Sequence, residues 1–210
     1  MTMTFVLRHP AQGLARALGA LELRIDVSPG HAEVEDELGA LHDRMRCPGD
    51  RLHAMPDQPS GLPGLRLRYR EADGEIFVYV EDVASGRLAG YTVFNRLIEV
   101  GRRADPWVRS PHTKFAPAYQ RRGLASGLYR WALDGGLCLL SGARQSAGAH
   151  ALWQSLSSRY TLGYVDLRHK TLTYLGERVS AAVMDDLHTR MVLLGHGWTL
   201  GRFKEATGMY

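Results

Sequence analysis

Phe115-Ala-Pro-Ala-Tyr-Gln-Arg-Arg-Gly-Leu-Ala125 is the stretch from which the rest of the chain can be ordered. A strand ends at Pro117, and a tight basic turn leads straight into a run with helical spacing, Leu124, Leu128 and Trp131. The first turn of a helix has four N–H groups without intrahelical partners, at the positive end of its dipole. Gly123 lets a bulky ligand approach the backbone, and Ala125 keeps the next turn small. Arg121 and Arg122 add charge-assisted contacts. Each element favours a pyrophosphate held mainly by main-chain amides. Competing phosphate motifs are absent: the chain has no G-x-x-x-x-G-K-[ST], and no G-x-G-x-x-G follows a strand.

Upstream of this turn, period-two alternation predicts an antiparallel meander. Its runs are Leu65–Tyr69, Ile76–Val80 and Leu88–Val100, joined by turns at Asp73-Gly74 and Ser85-Gly86. Gly101 to Pro111 reads as a break, and Thr113–Ala116 as the strand that enters the basic turn. Earlier, Leu21–Val27 reads as a short strand. A helix then opens at Ser28-Pro29, carries Val34, Leu38, Leu41 and Met45 on one face, and stops at Cys47-Pro48-Gly49. Asp50–Gly64 is a Pro/Gly-rich loop.

Downstream, the Gly123–Leu133 helix ends at Gly135-Gly136, and Leu137–Leu140 is a short apolar run suited to a buried strand. Ala147–Leu156 is a second helix, Tyr164–Leu175 holds two more strands, and Glu177–Leu194 reads as a final amphipathic helix. Residues 1–20 and those after Gly195 are weakly specified. The order predicts one α/β domain over residues 1–210, with a core from about 21 to 175 and a helical extension from 177 to 210.

Net charge is +4 and the pI is near 9.2, which raises a nucleic-acid reading. The basic residues are scattered, with no run of five like charges, so that reading falls behind. Nearly all are arginine, lysine occurring only at positions 114, 170 and 204, and a mild positive field also suits a polyanionic small molecule. Cys47 and Cys138 form no metal-binding pattern, so no metal is expected; Cys138 sits in an apolar run as a core residue. With no signal peptide and no apolar stretch of 18 residues, the expected compartment is the cytoplasm, without a membrane partner. His31-x-x-x-x-Asp36 copies an acyltransferase pattern, but within a helix i and i+5 do not share a face.

The run Pro117-x-Tyr119-Gln120-Arg121-Arg122-Gly123-Leu124-Ala125 resembles the acetyl-CoA signature of the GNAT superfamily of N-acetyltransferases, (Arg/Gln)-x-x-Gly-x-(Gly/Ala), entered through a proline and an aromatic residue. The resemblance implies a GNAT-like mixed central β-sheet flanked by helices on both faces and splayed near the ligand. It implies that the backbone amides of Arg122, Gly123, Leu124 and Ala125 grip the diphosphate, with Gln120 and Arg121 also at the cofactor site, and that Phe115, Ala116 and Pro117 lend main-chain groups to the pantetheine arm. The family's next signature, Asn-x-x-Ala-x-x-x-Tyr, has Ser146, Ala149 and Trp153 in its places. Ser146 is carried as a cofactor-site residue. Trp153 cannot supply the acid that the family's tyrosine often provides, so Tyr160, just beyond the helix, is the candidate, with Ser146 or a water as substitutes.

Transfer of the acetyl group to an amine needs a base, because alkyl amines are mostly protonated at neutral pH. His112 is the candidate, with Glu81, Glu99 and Glu75 as second choices. The implied activity is acetyl-CoA-dependent N-acetyl transfer by direct attack in a ternary complex. The amine acceptor, a small molecule or a protein, is not identified, and the sequence is silent on oligomeric state. Rival expectations are a GNAT-fold module that binds acetyl-CoA without turnover, a basic nucleic-acid-binding protein, and transfer of a longer acyl chain.

Overall fold

Alternating side chains and short turns from Leu65 onward build the centre of the molecule. The computed structural model describes residues 30–58 and 60–210; the strand read at Leu21–Val27 and the helix start read at Ser28-Pro29 lie outside them. Among the described residues, nine strands form one sheet: β1 (Asp57–Gln58), β2 (Leu65–Ala72), β3 (Glu75–Asp82), β4 (Arg87–Asn95), β5 (Val108–Phe115), β6 (Cys138–Leu140), β7 (Leu162–Arg168), β8 (Thr171–Gly176) and β9 (Thr189–Leu193). Their spatial order is β1-β2-β3-β4-β5-β6-β9-β7-β8. β5 and β6 run parallel, and the other neighbours are antiparallel. The helices are α1 (His31–Arg46), α2 (Leu124–Asp134), α3 (Ala147–Leu156), the four-residue α4 (Ala181–Met184) and α5 (Leu200–Thr207). The sheet is therefore mixed, with helices against both faces.

Strand alternation sorts the core. Residues such as Leu67, Val78, Val80, Phe94, Phe115, Leu139 and Met191 join Leu124, Leu128 and Leu133 of α2 and Trp153 and Leu156 of α3 in one cluster. The opposite face has two separate clusters. α1 sets Val34 and Leu38 on Tyr79, Leu88 and Tyr91, while α5 sets Phe203 among Val108, Cys138, Leu140, Val165 and Val192. The β7–β8 hairpin turns through His169 and Lys170, both left-handed (φ 51° and 62°), as a two-residue turn matched to strand twist requires.

Two readings of the sequence are corrected. The Glu177–Leu194 helix exists only as α4; Thr189–Leu193 is a strand buried along its whole length between β6 and β7. A short continuous apolar run fits a central strand as well as a helix, and pairing on both sides decides it. The sheet therefore extends past the boundary expected near residue 175, and Phe203 and Met209 of the tail are buried in the core.

The second correction is the expected break at Gly101–Pro111, because β5 begins at Val108 and carries Pro111. Ala116 N–H donates to Ala89 O (3.0 Å), one step outside the Gly90–Phe115 pair. Gly90–Phe115, Thr92–Thr113 and Phe94–Pro111 are thus the pairs whose N–H and C=O groups turn away from each other. Pro111 fits because its missing donor would have pointed away from β4.

Gly90 allows the β4–β5 contact that shapes this region. A Cβ there would lie 2.2 Å from Phe115 Cδ1 and 2.5 Å from the Lys114 carbonyl oxygen. The register shifts just beside it, between Val80 and Glu81, so that Ala89 has no partner on β3. Overpacking of this kind costs about 1–3 kcal/mol, and contact with main chain puts Gly90→Ala at the upper end. A thermal melt should show a loss of about 5–10 °C; an unchanged midpoint would contradict the close approach.

Candidate active site

The parallel pair β5–β6 is joined at only two positions, Val108–Cys138 and Arg109–Leu139. Beyond them the strands part. β5 runs on to Phe115 with β4 as its sole partner among the described residues, whereas β6 ends at Leu140 and the chain leaves through a loop to α3. An opening at the carboxyl ends of parallel strands is where α/β sheets take ligands. On its β5 edge, the outward-facing main-chain groups belong to Pro111, Thr113 and Phe115. Phe115 O is taken by Gln120 Nε2 (3.0 Å). Among the described residues the N–H groups of Thr113 and Phe115 have no acceptor, which leaves them for an added extended chain.

α2 starts at the end of β5. Pro117–Tyr119 makes a 3₁₀ turn, and Tyr119 donates its hydroxyl to Asp82 at 2.5 Å, which ties the turn to the end of β3. The backbone is then left-handed at Arg121 (φ 58°) and again at Gly123 (φ 76°). A non-glycine residue in this region costs roughly 1–2 kcal/mol, and such strain concentrates at ligand sites. The first amide bond of the helix is Gly127 N–H to Gly123 O (2.9 Å). The main-chain N–H groups of residues 121–126 have no acceptor among the described residues, and no side chain caps the helix. They form a cluster of donors at the positive end of a dipole.

Around Gly123 there is open space among the described residues, since a Cβ there would meet none of their atoms within 4 Å. Arg121 and Arg122 are exposed and outside the ion pairs formed by the described residues; Arg122 lies 5.5 Å over the Tyr119 ring. Across the opening, Ser146 caps α3 by accepting from Ala149 N–H (3.2 Å), so a second helix starts at the end of β6. Beside it Gln145 Oε1 is buried with no hydrogen-bond partner among the described residues, and buried polar atoms in that state are uncommon. Free donors, open space at Gly123, an unpaired strand edge and an orphaned acceptor together fit a ligand with a diphosphate and an amide-bearing arm.

The opposite face of β5 carries a polar group of residues. His112 reaches solvent, with its ring 6.4 Å from that of Tyr91 on β4. Burial and the charge of Lys114 hold its imidazole below the ordinary value, partly offset by Glu37. Tyr91 Oη and Lys114 Nζ both donate to Glu37 of α1, each at 2.5 Å. Burial and the Glu37 bond push the Tyr91 phenol well above its usual range. Burial alone would raise the Glu37 carboxyl, but bonds from Lys114 and Tyr91 lower it in sum.

Phe115, Ala116, Pro117 and Gln120 to Ala125 thus gather at the opening with Ser146 across from them, and His112 stands on β5. Tyr160 is not brought there. Its hydroxyl donates to Asp134 at 2.6 Å, and burial and that carboxylate raise its pKa to about 12. Asp134 ends α2, ten residues from its start, which is about 15 Å of helix. Trp153 is 2 % exposed and meets the Tyr129 ring edge-on, so it is a packing residue. Glu81 is held by Arg68 and Glu99 by Arg190, each at 3.2 Å. Cys138 is fully buried, as its apolar run implied.

Glu37, Tyr91, Lys114 and Gln145 escaped the sequence reading. Lys114, two residues from His112 on the same strand face, was the one legible signal.

No family model and no curated protein matches the chain. Solved structures do. The chain is similar to acetyltransferases. One is RimL, a ribosomal alpha-N-protein acetyltransferase in complex with coenzyme A: 10% identity, TM-score 0.40, covering 66% of this chain and 97% of that one. A second is a chimera of the spermidine N-acetyltransferase SpeG from Vibrio cholerae, at 22% identity and TM-score 0.33, covering 58% of this chain and 68% of that one. A third is a GNAT superfamily phosphinothricin acetyltransferase from Sinorhizobium meliloti in complex with acetyl-CoA, at 15% identity and TM-score 0.37, covering 59% and 63%. Among the described residues, no helix is long and apolar enough to cross a membrane.

Proposed function

We propose that this chain is a GNAT-type N-acetyltransferase that moves the acetyl group of acetyl-CoA to an amine. The observation that carries the reading is the row of main-chain N–H groups at residues 121–126, unpaired among the described residues, at the mouth of the β5–β6 opening. In this reading the diphosphate takes those donors, with Arg121 and Arg122 as cationic flanks. The pantetheine amides lie along the free edge of β5, where Thr113 and Phe115 offer N–H groups, and Gln145 and Ser146 line the other wall.

The amine approaches from the face that bears His112. His112, neutral near pH 7, takes a proton from the ammonium or from the amine as it attacks, directly or through a water. A C–N bond forms at the thioester carbon, a main-chain N–H stabilises the oxyanion, and the C–S bond breaks. The departing thiolate needs little help, since thiols ionise near pH 8.5. That fits a site where Trp153 is buried and Tyr160 is committed to Asp134.

The same two residues favour a second reading, an acetyl-CoA-binding module without turnover. Incubation with acetyl-CoA and a panel of small-molecule amines and peptides decides between them. Amine-dependent release of free thiol is the expected result. Tight binding with no thiol released by any acceptor would favour the silent module. No binding of acetyl-CoA would remove both.

A further inference from the structure

Glu37 lies at the margin of the apolar stripe of α1, 54 residues from Tyr91 and 77 from Lys114, yet it accepts a bond from each. One carboxylate thus joins α1 to two neighbouring strands. Tyr91 and Lys114 are cross-strand partners, and His112 is the next residue on the same face of β5. The groups around the imidazole can be named element by element. α1 contributes Glu37, β5 contributes Lys114, and β4 contributes the Tyr91 ring and, directly opposite, Val93. Charges of opposite sign therefore flank His112, and Glu37 is the one that neutralises Lys114.

We infer that Glu37 is a positioning residue for His112: it clamps α1 over β4 and β5 through Tyr91 and Lys114, and it balances the lysine charge beside the imidazole. This rests on the reading of His112 as the base, although the clamp can be measured without any turnover. Glu37→Gln keeps the shape and the acceptor oxygen but leaves Lys114 uncompensated, which disfavours the imidazolium. Lys114→Met keeps much of the aliphatic stem and leaves Glu37 uncompensated, which favours it. The two variants therefore act on His112 with opposite signs. A merely structural role would not produce that pattern.

The test is an NMR titration of the His112 ring in the full-length protein, assigned with His112→Gln. The ring should titrate about 0.5–1 pH unit lower in Glu37→Gln and as much higher in Lys114→Met, with Lys114→Arg restoring the wild-type value. Shifts of the same sign, or no shift in either variant, would overturn the inference. The acid limb of kcat/KM, followed in parallel, tests the base separately. A limb that moves with the ring supports both claims. A ring that shifts while the limb stays fixed sustains the clamp and removes His112 from catalysis.

Discussion

Gly123→Glu should weaken acetyl-CoA binding more than about a hundredfold while leaving the protein folded. Two features set this expectation. Gly123 has φ 76°, and among the described residues no atom lies near the space that a side chain would enter. A residue with a Cβ then pays only the backbone strain, roughly 1–2 kcal/mol, well within the 5–15 kcal/mol stability usual for folded domains. The carboxylate, however, would stand among the free N–H groups of residues 121–126. It would compete for those donors and repel a diphosphate, and a hundredfold loss corresponds to only about 2.7 kcal/mol. Gly123→Asn separates strain from charge, because asparagine tolerates the left-handed region and is neutral. Titration calorimetry should show Asn close to wild type and Glu far weaker, with matching circular dichroism. Equal affinity in Glu and wild type would remove the diphosphate from this turn.

His112→Gln should lower kcat by about 10²–10³-fold, in the range of lost general-base catalysis, with acetyl-CoA affinity unchanged. The separation is expected because His112 projects from the face of β5 that meets α1, whereas the free N–H donors lie on the strand edge and at the start of α2. The pH dependence follows by sign. Only neutral imidazole can accept the proton, so activity falls as pH drops through its pKa. Burial and Lys114 depress that pKa, with Glu37 opposing them, so the limb lies below the ordinary value of about 6.5. Wild-type kcat/KM should be flat above pH 7 and decline below it, and the variant should lack the imidazole limb. A full-rate variant, or a limb that persists in it, would assign the base elsewhere.

Local chemistry made much of this molecule legible. The meander, the βα turn at Pro117–Gly123 and the helices that follow rest on alternation, glycine and helical spacing, signals carried by neighbouring residues. What depended on distant partners was hidden. Met191 to Leu194 is as apolar as a helix stripe, and only pairing with β6 and β7 makes this segment a strand. Pro111 looked like a break because the missing strand neighbour that tolerates it is a property of the opened sheet. At the site, the Gln120–Ala125 turn could be read directly, while the left-handed geometry of Arg121 could not. The Glu37–Tyr91–Lys114 clamp joins residues far apart in the chain. Tyr160 was attractive by its nearness to α3 in sequence, but its hydroxyl is spent on Asp134.

Amide NMR on the full-length protein, with and without coenzyme A, probes the unpaired donors most directly. The backbone N–H signals of residues 121–126 should shift strongly on addition of coenzyme A, and pantetheine, which lacks the diphosphate, should leave them nearly unmoved. Signals of 121–126 that stay fixed while coenzyme A binds, or that move equally with pantetheine, would contradict a diphosphate seated at the start of α2.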